Sequence, residues 1–162
     1  MTHPLKTIGF NDHNHAKCIA GAVDAADTHC RASGLKLTPV RRQVLEILLR
    51  KHRALGAYEI LDELRAAGFA SQPPVAYRAL EFLTTHGFAH RIERLNAFVA
   101  CAHPGERHAP AFLICTSCDA VAETPANPRA GALARTAASV GFDIERAVVE
   151  AEGICPNCKD RP

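Results

Sequence analysis

At 162 residues the chain is too long for a mini-protein stapled by disulfides, and long enough for one large domain or two small ones with separate cores. Its formal charge of +2 hides an asymmetry: residues 1–95 carry 13 Lys/Arg against 9 Asp/Glu, while residues 96–162 carry 6 against 8. A basic front half suits phosphate and an acidic back half suits another contact, such as a second subunit. No stretch approaches the roughly 18 apolar residues of a membrane span, and the first thirty residues lack a secretory leader's charged start, apolar run and cleavage site. A cytoplasmic protein is expected, and in a reducing compartment its seven cysteines read as metal ligands before disulfides.

The N-terminal stretch is dense in donors: His13, His15, Cys18, His29 and Cys30. If a helix starts this early, His15 and Cys18 share a face at i, i+3 and, with His13, offer a possible additional metal site. The alternative is an Ala-rich helix in which Cys18 and Cys30 simply pack. Next, Thr38 as N-cap and Pro39 at the first helical position predict a helix to about His52. Val40, Val44, Ile47 and Leu48 line its inner face, with Arg41, Arg42, Arg50, Lys51 and Arg53 elsewhere on it or just beyond. A short helix over Ala57–Ala67, with Ile60, Leu61 and Leu64 apolar, ends at Gly68. On it, Asp62 and Arg65 read either as a local pair or as a contact between neighbouring dimers. A third helix opens at Pro73-Pro74 and stops at Gly87. Alternating residues in Phe88–Glu93 and Ala97–Cys101, around Leu95-Asn96, then predict a hairpin.

Three helices and a hairpin make a winged helix-turn-helix, whose third helix would meet the major groove with its N-terminal end. Arg78 there suits guanine, and Tyr77 suits a thymine methyl or a phosphate. The DNA-facing candidates are Tyr77, Arg78, Tyr58, Arg41 and Arg42, weighed against half-buried packing for the tyrosines and an ordinary solvated face for the arginines.

The second half predicts a strand over Ala111–Cys115, a short strand reaching Glu123, a helix over Arg129–Val140 ended by Gly141, and an extended segment through Ile144, Ala147 and Val149. Cys115-Thr116-Ser117-Cys118 and Cys155-Pro156-Asn157-Cys158 each follow a strand. Two such pairs set four thiolates around one structural Zn²⁺. A redox pair needs no twin, and neither pair is expected to open a helix as a thioredoxin-like site does. The fold class is α+β: an N-terminal winged helix-turn-helix followed by an α/β unit with a four-cysteine zinc site.

Gly34-Leu35-Lys36-Leu37-Thr38-Pro39, Ala57-Tyr58-Glu59-Ile60-Leu61, Pro73-Pro74-Val75-Ala76-Tyr77-Arg78-Ala79-Leu80 and the paired Cys knuckles resemble the ferric-uptake-regulator family over about residues 30–158. The resemblance implies a homodimer that binds AT-rich palindromic operator DNA when a sensory metal is present. It divides the chain into a helical arm and DNA-binding domain (1–101), a hinge (102–110) and a dimerisation domain (111–162). His90, Cys101, His108 and Glu123 fall where the zinc-uptake branch has its sensory ligands, and one S, two N and one O suit tetrahedral Zn²⁺. Iron-sensing relatives usually have a carboxylate at the position of Cys101 and often a His-rich hinge. Here the stretch Cys101–His108 departs from that run, and His108 is favoured over His103. The expected function is a zinc-responsive repressor of zinc-uptake genes, with at least two Zn²⁺ per subunit and no small-molecule substrate. An iron, manganese or peroxide sensor is the alternative within the family, and a zinc-buffering or protein-binding module the alternative outside it. Enzyme motifs such as His-Glu-x-x-His are missing, so no enzyme is expected.

Overall fold

The computed structural model describes Phe10 and residues 15–51, 53–70, 72–105, 108–127 and 130–160. The Ala-rich N-terminal run forms α1 (His15–Ala32), so the arm is helical from its first described histidine. Thr38 starts α2 (Pro39–Arg50), its hydroxyl accepting from the Arg41 amide at 3.4 Å. The helix ends two residues before the expected His52, where Lys51 turns extended. α3 (Ala57–Ala66) and α4 (Pro73–Thr85) follow. Each ends in a Schellman turn. Phe69 and Phe88 donate to the Leu64 and Leu83 carbonyls at 3.1 and 2.8 Å, and Gly68 and Gly87 take φ of +86° and +75°. A side chain at either glycine would strain the backbone.

The inner faces of these helices form one core. Val23, Ala26 and Cys30 of α1, Val44, Leu45, Ile47 and Leu48 of α2, Ile60, Leu61 and Leu64 of α3, and Ala79, Leu80 and Leu83 of α4 are all buried in it. The i, i+3, i+4 spacing aligns these apolar residues on one stripe per helix. The wing follows as β1 (Ala89–Ile92) and β2 (Ala97–Ala100), antiparallel with His90 opposite Val99. Asn96 closes the turn at φ +45°, a left-handed conformation that asparagine tolerates.

The second unit is a three-stranded sheet in the order β4-β3-β5, built from β3 (Ala109–Cys115), β4 (Val121–Ala126) and β5 (Val149–Gly153). β3 pairs antiparallel with β4 and parallel with β5, the crossover passing through α5 (Ala132–Ser139). β4 runs past the expected Glu123 and carries Pro125, which an edge strand admits. The extended segment sought at Ile144–Val149 forms its strand later, in β5, because only from Val149 onward does the chain pair with β3. A four-residue helix, α6 (Pro156–Lys159), closes the described chain.

The wing and the second sheet share a core. Ala54, Ile92, Ala97 and Val99 from the first half meet Phe112, Ile114 and Val121 from the second. A backbone bridge between Arg53 and Ala120 extends this seam, while one between Leu55 and Phe98 ties the wing to the helical half. Among the described residues no helix is long and apolar enough to cross a membrane.

Candidate metal centres and nucleic-acid interface

Cys115 is the last residue of β3, Cys118 lies in the turn that follows, Cys155 caps α6 and Cys158 sits within it. Their sulfurs all lie within 4.8 Å of one another, with Cys118 and Cys155 3.8 Å apart. A tetrahedral zinc with bonds of about 2.3 Å sets its sulfurs about 3.8 Å apart, so the cluster fits one ion. The Cys155 amide donates to the Cys115 sulfur at 3.3 Å. That bond, helped by the Ser117 and Cys118 amides against burial, lowers the Cys115 thiol to about 6. The Ala120 amide pulls Cys118 down, but burial and the three neighbouring thiols outweigh it and push Cys118 up to about 12. One thiolate forms readily while Cys118 and Cys155 resist, as expected where several thiols crowd a site that a divalent cation would neutralise. The second pair does open a helix, contrary to the sequence expectation: Pro156 at the first position of α6 nucleates a single turn. The nearby second pair still makes a metal knuckle, rather than an isolated redox pair, the better chemistry.

The second cluster draws on four different parts of the chain. His90 comes from β1, Cys101 from just beyond β2, His108 from just before β3 and Glu123 from β4. Their donor atoms also lie within 4.8 Å of one another. His108 Nε2 is 3.5 Å from Cys101 Sγ and 2.6 Å from Glu123 Oε1, while His90 Nε2 is 3.4 Å from the same oxygen. The 2.6 Å contact is a direct hydrogen bond; the 3.4 and 3.5 Å separations are close to those of ligands on one zinc, about 3.3 to 3.6 Å. His90 Nε2 is buried yet makes no hydrogen bond. An orphaned imidazole nitrogen aimed at a thiol, an imidazole and a carboxylate is a donor lacking an acceptor for its lone pair, and a metal ion satisfies it.

Glu123 is 5% exposed. Burial raises its carboxyl, but the His90 ring, the Ala102 amide at 2.8 Å and the His108 ring outweigh that and hold it below the usual carboxylate range. The His103 amide donates to Cys101 Sγ at 3.4 Å. The His103 ring stacks edge-on to His108, 5.9 Å between centroids, and is not in the four-donor group. Sequence reading missed Phe112, whose ring lies 5.5 Å from that of His90 and walls the cluster from the sheet side. Only the register, which puts Phe112 opposite Glu123, reveals it.

Tyr77 and Arg78 occupy the exposed first turns of α4, and Tyr58 stands beside Tyr77 at the start of α3 with 70% of its surface open. Tyr58 and Tyr77 line one shallow recess, and Arg78 is exposed next to Tyr77 in the chain. Arg41 lies 3.7 Å over the Phe82 ring and donates to the Lys36 carbonyl at 2.7 Å, while Arg42 pairs with Asp27 at 3.4 Å. Both are thus engaged within the protein. Asp62 and Arg65 form the local pair, at 3.0 Å. Of the N-terminal donors, His13 and the side chain of His15 lie outside the described residues. Cys30 is buried in the helical core, and Cys18 lines a cavity of about 90 Å³ together with Cys101 and Glu123.

Fold and site define a winged-helix protein with two candidate metal centres, one of which straddles the wing and the second sheet. The chain belongs to the ferric uptake regulator family, whose sequence profile matches residues 32–151. It is 37% identical over 134 residues to the zinc uptake regulation protein of Escherichia coli (strain K12), covering 82% of this chain and 78% of that one. It is also similar to a zinc uptake regulator solved in complex with zinc and DNA, with a TM-score of 0.79 at 34% identity over 92% of this chain and 97% of that one. Holo XcZur matches with a TM-score of 0.77 at 37% identity, over 87% of this chain and 99% of that one. Apo XcZur, at 36% identity over 88% and 99%, matches with only 0.51. Identity and coverage barely change between the two XcZur states, so the difference in TM-score is one of conformation: this chain superimposes more closely on the holo than on the apo form.

Proposed function

We propose that the chain is a zinc-responsive repressor of zinc-uptake genes, binding operator DNA as a homodimer when zinc occupies His90, Cys101, His108 and Glu123. The observation that carries this reading is the four-donor cluster drawn from wing, connector and second sheet. An ion held by donors from all three supplies a crosslink that favours one orientation of the wing over others. His90 and Cys101 fix the wing's position, His108 fixes the connector, and Glu123, itself held by the Ala102 amide, anchors them to β4. Helix-turn-helix dimers require their recognition helices at a spacing set by the DNA repeat, so fixing that orientation converts metal occupancy into affinity. The likeness to zinc-bound relatives and to the holo rather than the apo form supports it.

Cys115, Cys118, Cys155 and Cys158 hold a structural zinc in this reading, giving at least two ions per subunit. The division is an arm and DNA-binding domain over 1–101, a hinge over 102–110 and a dimerisation domain over 111–162. Exposed Leu133, Val140, Phe142 and Ile154 on the second unit support dimerisation, since a monomer rarely leaves so much apolar surface open. Tyr77, Arg78 and Tyr58 face an AT-rich palindromic operator, and Arg41 and Arg42 reach phosphate only by giving up their contacts with Lys36 and Asp27; the protein works in the cytoplasm and performs no catalytic step. The thiolate in the sensory set favours zinc over iron or manganese.

The test is fluorescence anisotropy on duplexes selected from a random pool, at fixed salt, as buffered free Zn²⁺ rises and as Fe²⁺ or Mn²⁺ replaces it. Binding that appears only with zinc is expected. Activation by iron or manganese assigns the chain to another branch, and no binding with any metal removes the regulator reading.

A further inference from the structure

The wing touches the second unit at a place away from the metal cluster. Glu150 of β5 receives two consecutive amides of the wing turn, Glu93 N at 2.6 Å and Arg94 N at 2.9 Å, one on each carboxylate oxygen. Around this pair, Arg94 Nε reaches Glu152 at 3.4 Å and Arg146 reaches Glu93 at 3.2 Å. All four contacts cross from the wing turn to the segment that leads into and forms β5.

Register explains why the two grips coincide. Phe112 of β3 stands opposite Glu123 of β4 on one side and opposite Glu150 of β5 on the other. Residues opposite one another across a sheet project from the same face. One row of the sheet therefore presents, toward the wing, a metal-ligand carboxylate, an aromatic ring against His90, and a second carboxylate. On the wing the matching points are His90 and the Glu93–Arg94 turn, three residues further along. The sheet holds the wing at two places, of which only one needs a metal.

We propose that Glu150 is a metal-independent latch for the wing, a positioning residue that sets the free-zinc level at which the sensory site fills. This rests on the reading of His90, Cys101, His108 and Glu123 as the sensory ligands. A carboxylate taking two backbone amides makes charge-assisted hydrogen bonds, stronger than the exposed arginine pairs around it. By favouring the wing position in which the four donors converge, the latch raises the fraction of molecules competent to bind zinc, and apparent affinity scales with that fraction. Glu150 touches none of the four donors, so its removal leaves the ligand set intact.

The experiment measures Zn²⁺ affinity of the full-length dimer by competition with a fluorescent chelator, for wild type, Glu150→Ala and Glu150→Gln, with thermal melts and total zinc content as controls. Glu150→Ala is expected to fill the sensory site at free zinc roughly five- to tenfold higher, the low end of ordinary coupling, with the four-cysteine site still loaded. Glu150→Gln keeps the shape and one acceptor oxygen, so it shifts the same way by less, and it serves if the alanine variant fails to fold. Sensory-site affinity equal to wild type in the folded variants overturns the latch and leaves the sensor reading standing. A wild-type chain that takes up only one zinc per subunit overturns both.

Discussion

In the proposed reading, Cys101 is the ligand whose loss is most informative. It is 4% exposed, receives the His103 amide, and lies 3.5 Å from His108, so a serine there keeps the volume while exchanging a soft thiolate for a weak hydroxyl donor. Cys101→Ser is expected to fold and dimerise as wild type but to bind operator DNA no better with zinc than without; full zinc-responsive binding in a gel or anisotropy titration contradicts the assignment. Glu59 offers a separate test. The hydrogen bond from Arg53 at 2.8 Å, joined by that from the Gly56 amide at 3.0 Å, holds its carboxyl below the usual range. A depressed acid stabilises the fold above its ordinary pKa, and that contribution is lost as pH falls through the lower folded value. Glu59→Gln is expected to cost about 0.5–1 kcal/mol at pH 7, a small figure because both partners are half exposed, and the gap between the two melts should close in acid. Equal melting temperatures at neutral pH would rule out a capping role.

Among the elements, α4 and the four-cysteine knuckle carry separable duties. The helix buries Ala76, Ala79, Leu80, Phe82 and Leu83 and leaves Arg78 in solvent, so a change at Arg78 reaches the surface without reaching the core. Arg78→Ala is expected to weaken operator binding by about 1–3 kcal/mol and to relax preference at one base position, with the melt unchanged. A uniform loss across all sequences would make Arg78 a phosphate contact instead. The knuckle ties the end of β3 to α6, and the Arg53–Ala120 bridge carries it to the helical half. Cys155→Ser exchanges one of the four sulfurs for a hydroxyl at a position only 3% exposed, and if the cluster holds a structural zinc it is expected to lower the melting temperature on the order of 10 °C or more. A melt superimposable on wild type would show that the four sulfurs hold no structural ion.

At the scale of the molecule the question is how two units that share a core can still respond to a metal. The shared cluster of Ala54, Ile92, Ala97, Val99, Phe112, Ile114 and Val121 is small and built partly from alanines. Such a seam holds a preferred arrangement without making it the sole one, which leaves the sensory cluster and the Glu150 latch to tip the balance. Zinc added to chelator-treated protein is expected to reduce the radius of gyration in solution scattering, and Cys101→Ser to stay expanded at every zinc level. Identical scattering with and without zinc would separate metal binding from any change of shape.

The three helices of the winged unit, its hairpin and both Cys-x-x-Cys knuckles were legible in the sequence because their signals are local. An N-cap threonine before proline, apolar spacing of three and four, glycines that require positive φ, and alternation around Leu95-Asn96 each act within a turn or two of chain. The ligands His90, Cys101, His108 and Glu123 carried no local signal of their own, and their expectation came from resemblance. What only tertiary structure decided was everything set by strand register: that β5 begins at Val149, that Phe112 stands between Glu123 and Glu150, and that Glu150 meets the wing turn 56 and 57 residues away in the chain. A one-residue slip would turn those side chains to the opposite face, and no local pattern in the chain records which pairing wins.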